Sequence, residues 1–117
     1  MWIFLNDRFV TEQDAKISVF DHGFLYGDGV YETIRSYGKR IFMRDHHLSR
    51  LQRSADAIGL TVPIPLSKWP RLLHDAMDRN QLGNEQTDAY LRITVSRGVG
   101  EIGLDPALCP TPTVVIM

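Results

Sequence analysis

The sequence predicts an α+β fold, a two-layer sandwich in which a mostly antiparallel sheet carries two helices on one face. Three observations predict it. The stretch "AYLRITVSR" alternates strictly, with Ala89, Leu91, Ile93 and Val95 on one side and Tyr90, Arg92, Thr94 and Ser96 on the other. Two segments carry apolar stripes at helical spacing, and prolines separate them. The remaining β-rich runs come as neighbours around short turns, which suits hairpins and not crossovers.

In chain order, "WIFL" and "RFV" read as two strands around Asn6-Asp7, residues that tolerate left-handed backbone. A glycine loop follows Phe20 and runs to Gly29. "VYETIRSY" is the next strand, and Gly38-Lys39 turns it into "RIFM". Asp45 is the expected cap of a helix whose Leu48, Leu51, Ala55 and Ile58 share a side, with Gly59 as its stop. Pro63 and Pro65 forbid continuation. Ser67 is the expected cap of the second helix, striped by Trp69, Leu72, Leu73, Ala76 and Met77, with Pro70 in the first turn and an end near Gly83. After the alternating strand comes a loop with three glycines and Pro106, then a final strand, "TPTVVIM". That run stops while still apolar, which leads us to expect the front part of a longer protein.

The chain has 117 residues, the length of one domain able to bury a core. A net charge of −1 without like-charge blocks gives no footprint for nucleic acid or an anionic membrane. No run approaches the roughly 18 apolar residues of a membrane span, and the first residues lack the pattern of a secretory signal. The single cysteine, Cys109, cannot form an internal disulfide, so the cytoplasm is the default location.

Most motifs that suggest chemistry have blander explanations. "GVGEIG", Gly98 to Gly103, fits a dinucleotide fingerprint and follows a strand, but the prolines of "LDPALCPTP" leave no helix to face a pyrophosphate. His46 and His47 splay by about 100° on a helix, and no ligand set at a known metal spacing includes His22 or His74. Nothing adjacent in sequence activates Cys109. The positive signal is Tyr26, Tyr31, Arg35, Tyr90 and Arg92. Alternation turns Tyr31, Thr33, Arg35 and Tyr37 to one face of their strand, and Tyr90 and Arg92 share a face of theirs. A solvated sheet face accounts for this on composition alone. The alternative is a covered face whose guanidinium and phenol groups bind an anionic ligand.

"VFDHGFLYGDGVYETIR", "DHHLSRL" and "AYLRITVSRGVGEIGLDP" together resemble the amino-terminal domain of the class IV (fold type IV) pyridoxal-phosphate aminotransferases, over essentially the whole chain. That group includes the branched-chain amino acid aminotransferases, the D-amino acid aminotransferases and the 4-amino-4-deoxychorismate lyases. The resemblance implies that residues 1–117 are an amino-terminal small domain, and that a carboxy-terminal domain holds the lysine that bonds to pyridoxal 5′-phosphate. Lys16, Lys39 and Lys68 match no such lysine, so this chain alone is expected to be inactive and to contain no catalytic residue.

By the same resemblance Arg50 binds the cofactor phosphate and Tyr31 lines the substrate side-chain pocket. Tyr26 is the tyrosine contributed across a homodimer (or higher homo-oligomer) interface. Tyr90 and Arg92 match the Y-x-R pair that holds the α-carboxylate and the distal carboxylate of glutamate. Thr33 stands where some branched-chain enzymes have glycine, and Arg97 also occurs in the D-amino acid and lyase branches. The Y-x-R pair with "GLDP" favours the branched-chain branch, acting on amino acids and 2-oxo acids with glutamate and 2-oxoglutarate as the amino-group pair. A non-catalytic dimerisation or binding module is the competing reading of another class.

Overall fold

A computed structural model describes residues 1–117. Six strands form one antiparallel sheet: β1 (Trp2–Leu5), β2 (Arg8–Thr11), β3 (Gly29–Tyr37), β4 (Arg40–Ile41), β5 (Ala89–Ser96) and β6 (Thr113–Ile116). Their order across the sheet is β2-β1-β6-β5-β3-β4. Two long helices, α2 (Arg44–Ala57) and α3 (Trp69–Arg79), cover one face, and a short α1 (His22–Tyr26) lies in the loop before β3. The shortest principal extent is 19 Å, which accommodates a sheet and one helical layer.

The expected layering follows from the side-chain periods. Ile34, Leu91, Ile93, Val95, Val114 and Ile116 point from the sheet into a core shared with Leu48, Leu51 and Ala55 of α2 and with Trp69, Leu73, Ala76 and Met77 of α3. The Asn6 turn adopts φ 60° and Gly38 adopts φ 56°, so both expected hairpins form. At the end of α2, Gly59 takes φ 60° while Leu60 N–H donates to the Ala55 carbonyl at 2.9 Å, the expected glycine stop.

Four local expectations need correction. The segment from Phe20 to Gly29 is not all loop: the Asp21 side chain accepts from Gly23 N–H at 2.8 Å, and left-handed Gly27 ends the short α1. Strand β4 covers two residues where four were expected, because Met43 turns left-handed (φ 47°) to enter α2. Asp45 therefore sits in the first turn of α2 and is not its cap. Ser67 lies inside a 3₁₀ turn, Leu66–Lys68, that leads into α3 without a side-chain cap.

Candidate functional site

The face of the sheet opposite the helices is where the tyrosines and arginines gather. In the β3–β5 register, Tyr31 opposes Thr94, Thr33 opposes Arg92 and Arg35 opposes Tyr90. Tyr31 and Arg92 are therefore diagonal neighbours on one face, and the Arg92 guanidinium carbon stands 4.2 Å from the centre of the Tyr31 ring. Both line an open cleft of 330 Å³ with Ile17, Gly23, Phe24 and Val115. Arg92 donates no side-chain hydrogen bond within the chain and pairs with no carboxylate; its partner is the π-face. Arg35, two register positions away, is occupied by Asp88 at 3.2 Å. Of these two arginines, Arg92 is the one with no carboxylate partner.

The cleft has a rigid back wall. Asp21 is buried, accepting from Gly23 N–H at 2.8 Å and from the Thr113 hydroxyl at 2.7 Å, which fastens α1 to β6. A Cβ on Gly23 would come within 2.6 Å of the Ser96 Cβ, so glycine permits α1 to lie against β5. Arg97, also buried, donates from Nε to Asp28 Oδ2 at 2.9 Å and from Nη2 to Asp28 Oδ1 at 3.0 Å. Its remaining donors reach the carbonyls of Ile58 and Gly59 at 2.8 and 2.9 Å. One guanidinium thus ties the start of β3 to the end of α2.

Tyr90 is exposed and belongs to a neighbouring apolar recess of 440 Å³, bounded by Met1, Met77, Leu82 and Met117; Arg92 joins the two hollows. Tyr26 does not line the cleft. Its hydroxyl accepts from Gly103 N–H at 3.0 Å, and its ring meets the edge of His22. His22 is buried, and its Nε2 donates to the Glu101 carbonyl at 2.8 Å, since a carbonyl can only accept. "GVGEIG" is accordingly a loop fastened to α1, with no helix opening from it.

Arg50 lies on the other layer. It projects from α2 to Glu32, the β3 residue that follows Tyr31 and faces the helices. Its Nε donates to Glu32 Oε1 and its Nη2 to Oε2 at 2.7 Å, while His47 Nδ1 meets Oε2 at 2.7 Å. The structure thus brings Tyr31 and Arg92 together, with Tyr90 beside them, but separates Arg50 from that cleft by the thickness of β3. That part of β3 is an open edge, because β4 pairs only with Ser36 and Tyr37. A ligand seated on the edge could reach residues of both layers.

Sequence reasoning missed Glu32 as a site residue. It is only 4% exposed, and the Arg50 guanidinium holds its carboxyl below the usual range despite the opposing effect of burial. Ionised Glu32 can only accept, so His47 Nδ1 is the donor in their contact. The available signal was a lone carboxylate in the core-facing row Val30, Glu32, Ile34, which demands a cationic partner from the covering helix. Cys109 has its thiol pushed up by burial, which makes it a poor nucleophile. No group of three or more His, Cys, Asp or Glu residues is placed to hold a metal ion, and no helix is long and apolar enough to cross a membrane.

A family model described as amino-transferase class IV matches residues 29–117. A Methanocaldococcus jannaschii protein, provisionally named a branched-chain-amino-acid aminotransferase, is 46% identical over 114 residues, which are 97% of this chain and 38% of that protein. D-alanine aminotransferase of Staphylococcus aureus is 39% identical over 99 residues, 85% of this chain and 34% of the relative. Among solved structures, the branched-chain amino acid aminotransferase from Escherichia coli superposes with a TM-score of 0.88 at 28% identity, covering 98% of this chain and 39% of that one. This chain therefore spans under two-fifths of the length of these relatives.

Proposed function

Because this chain belongs to the class IV amino-transferases, we propose that residues 1–117 are the amino-terminal small domain of a transaminase that uses pyridoxal 5′-phosphate, moves amino groups between branched-chain amino acids and 2-oxoglutarate, and works as a homodimer. The observation that carries this reading is Arg92, free of internal side-chain hydrogen bonds and carboxylates and poised over Tyr31 at an apolar-walled cleft.

In this reading Arg92 receives the distal carboxylate of glutamate, and its planar fork suits bidentate capture. The Tyr31 ring gives an aliphatic substrate side chain an apolar wall, and Tyr90 holds the α-carboxylate from the adjoining recess. Arg50 fits a phosphate: of a guanidinium's five N–H donors, two go to Glu32, and Nη2 also lies 3.4 Å from His47 Nδ1, which leaves Nη1 without a partner on a side chain that is 60% exposed. The cofactor, when bound, supplies the electron sink that lets the Cα–H bond of an amino acid break. Lys16, Lys39 and Lys68 are all exposed and none lines the cleft, which supports assigning the lysine that bonds to the cofactor to the rest of the polypeptide. Tyr26 and the exposed Phe20, Phe24, Ile102 and Leu104 around it offer an apolar surface for the second subunit.

The test is amino exchange between glutamate and 4-methyl-2-oxopentanoate by the full-length polypeptide, with Arg92→Ala as control. Loss of glutamate turnover at least about a hundredfold in Arg92→Ala, with the fold intact, is the expected outcome. The 39% identity to a D-alanine aminotransferase favours a second reading, in which the same face serves D-amino acids. Turnover of D-alanine without turnover of L-leucine selects it. If Arg92→Ala abolishes dimer assembly but leaves glutamate turnover unchanged, the domain is a docking module instead.

A further inference from the structure

Resting on the reading of Arg50 as the grip for the cofactor phosphate, we infer that Glu32 is a positioning residue, which presets the Arg50 fork so that its outer edge meets the phosphate without a search through rotamers. Strand alternation sends Glu32 into the helix layer, in a row with Val30, Ile34 and Ser36, and leaves it 4% exposed. An apolar side chain would fill that layer without a charge to desolvate. What glutamate gains there is the pair of bonds to Arg50 and the contact with His47.

A comparison within the chain separates a closed ion pair from this one. Arg97 is 8% exposed, and its fork is consumed by Asp28 and the Ile58 and Gly59 carbonyls, as expected of a purely architectural arginine. Arg50 also makes a two-point pair with one carboxylate, yet its side chain stays 60% exposed. Nη1 makes no bond within the chain, and Arg50 lines a small hollow of 160 Å³ with Met43, His46 and His47. A guanidinium fixed on one side and open on the other is organised for a second oxyanion. Glu32 also opposes that oxyanion by its own charge, and the His47 donor on Oε2 offsets part of this.

The test uses the full-length apoprotein, titrated spectroscopically with pyridoxal phosphate and, in parallel, with pyridoxal. The ratio of the two affinities isolates the phosphate contribution. Glu32→Gln should lower the ratio about tenfold, the upper end of what ordering one long side chain is worth on binding, while pyridoxal affinity stays constant. In an Arg50→Lys background, where no fork exists to be set, Glu32→Gln should change nothing further. Because Glu32→Gln perturbs a buried site, a wild-type measurement stands beside it. The Arg50 Nε–H resonance, assigned by Arg50→Lys, should exchange with solvent far more slowly than that of exposed Arg53, with and without inorganic phosphate. A folded Glu32→Gln protein with an unchanged or raised ratio overturns the inference, as does an Arg50 Nε–H that exchanges like Arg53. If Arg50→Ala leaves the ratio unchanged, Arg50 does not hold the phosphate and the role of Glu32 falls with it. If Arg50→Ala lowers the ratio while Glu32→Gln does not, only the positioning role fails.

Discussion

Replacing Arg97 with alanine should unlock the junction on which the Tyr31 cleft is built. The side chain is 8% exposed and gives two hydrogen bonds to Asp28 and one each to the Ile58 and Gly59 carbonyls. Removing one member of a buried ion pair costs about 3–5 kcal/mol. Asp28 keeps a quarter of its side-chain surface in water, and water entering the vacated space can solvate the two carbonyls, so about 3 kcal/mol is the expected loss. That is roughly a hundredfold in the folding equilibrium. With a urea m-value near 1.5 kcal/mol/M for a chain of this size, the unfolding midpoint should fall by about 2 M. Arg97→Lys retains the charge but cannot serve a forked carboxylate and two carbonyls together, so it should lose about half as much. A midpoint shift below about 0.5 M for Arg97→Ala would mean that the junction between the start of β3 and the end of α2 is held by packing alone.

Glycine substitutions should separate backbone strain from collision. Gly27 (φ 66°) has open space where a Cβ would go, so Gly27→Ala should cost about 1 kcal/mol. At Gly98 (φ 98°) a Cβ would lie 1.8 Å from the Thr111 carbonyl oxygen, so Gly98→Ala should exceed about 3 kcal/mol or prevent folding, as thermal denaturation will register. The Glu32 carboxyl is held below its ordinary value of 4.5, so folding favours the ionised form. Its stabilisation is whole above that value and is lost as pH falls through the lower, folded one. Urea midpoints followed down from neutral pH should therefore show an acid limb that Glu32→Gln flattens. Ile93→Ala removes a fully buried side chain between the two layers and should cost about 3 kcal/mol by the same denaturation assay, without altering the open face.

The parts of this fold legible in the sequence are those written in a short period. Alternation along β5 assigns Ala89, Leu91, Ile93 and Val95 to the core and Tyr90 and Arg92 to the open face, as found. The same rule places Tyr31 beside Arg92 once β3 and β5 are neighbours, although their pairing is a long-range fact that no local pattern states. The Leu48, Leu51, Ala55 stripe and its Gly59 stop mark α2 for the same reason. Helix α1 escaped notice because five residues are too few for a 3.6-residue period to repeat. Arg97 and Glu32 show the second limit. Their partners lie 69 and 18 residues away, so the sequence displays a cation and a carboxylate but not the bonds between them. Arg50 shows a third: helical periodicity labels it an ordinary solvated cation, and only the buried acid facing it sets it apart from Arg53.

The position of β6 has a consequence for how the chain reaches this state. The last of the six strands in chain order is inserted in the middle of the sheet, hydrogen-bonded to β1 on one side and β5 on the other. Until Thr113–Ile116 leave the ribosome, the β1–β2 ribbon and the β3–β4–β5 ribbon have no backbone partner in common, so closure waits for residues separated by more than a hundred positions. Nascent chains stalled before that point should expose two raw strand edges, the kind that invite pairing with other chains and the attention of chaperones.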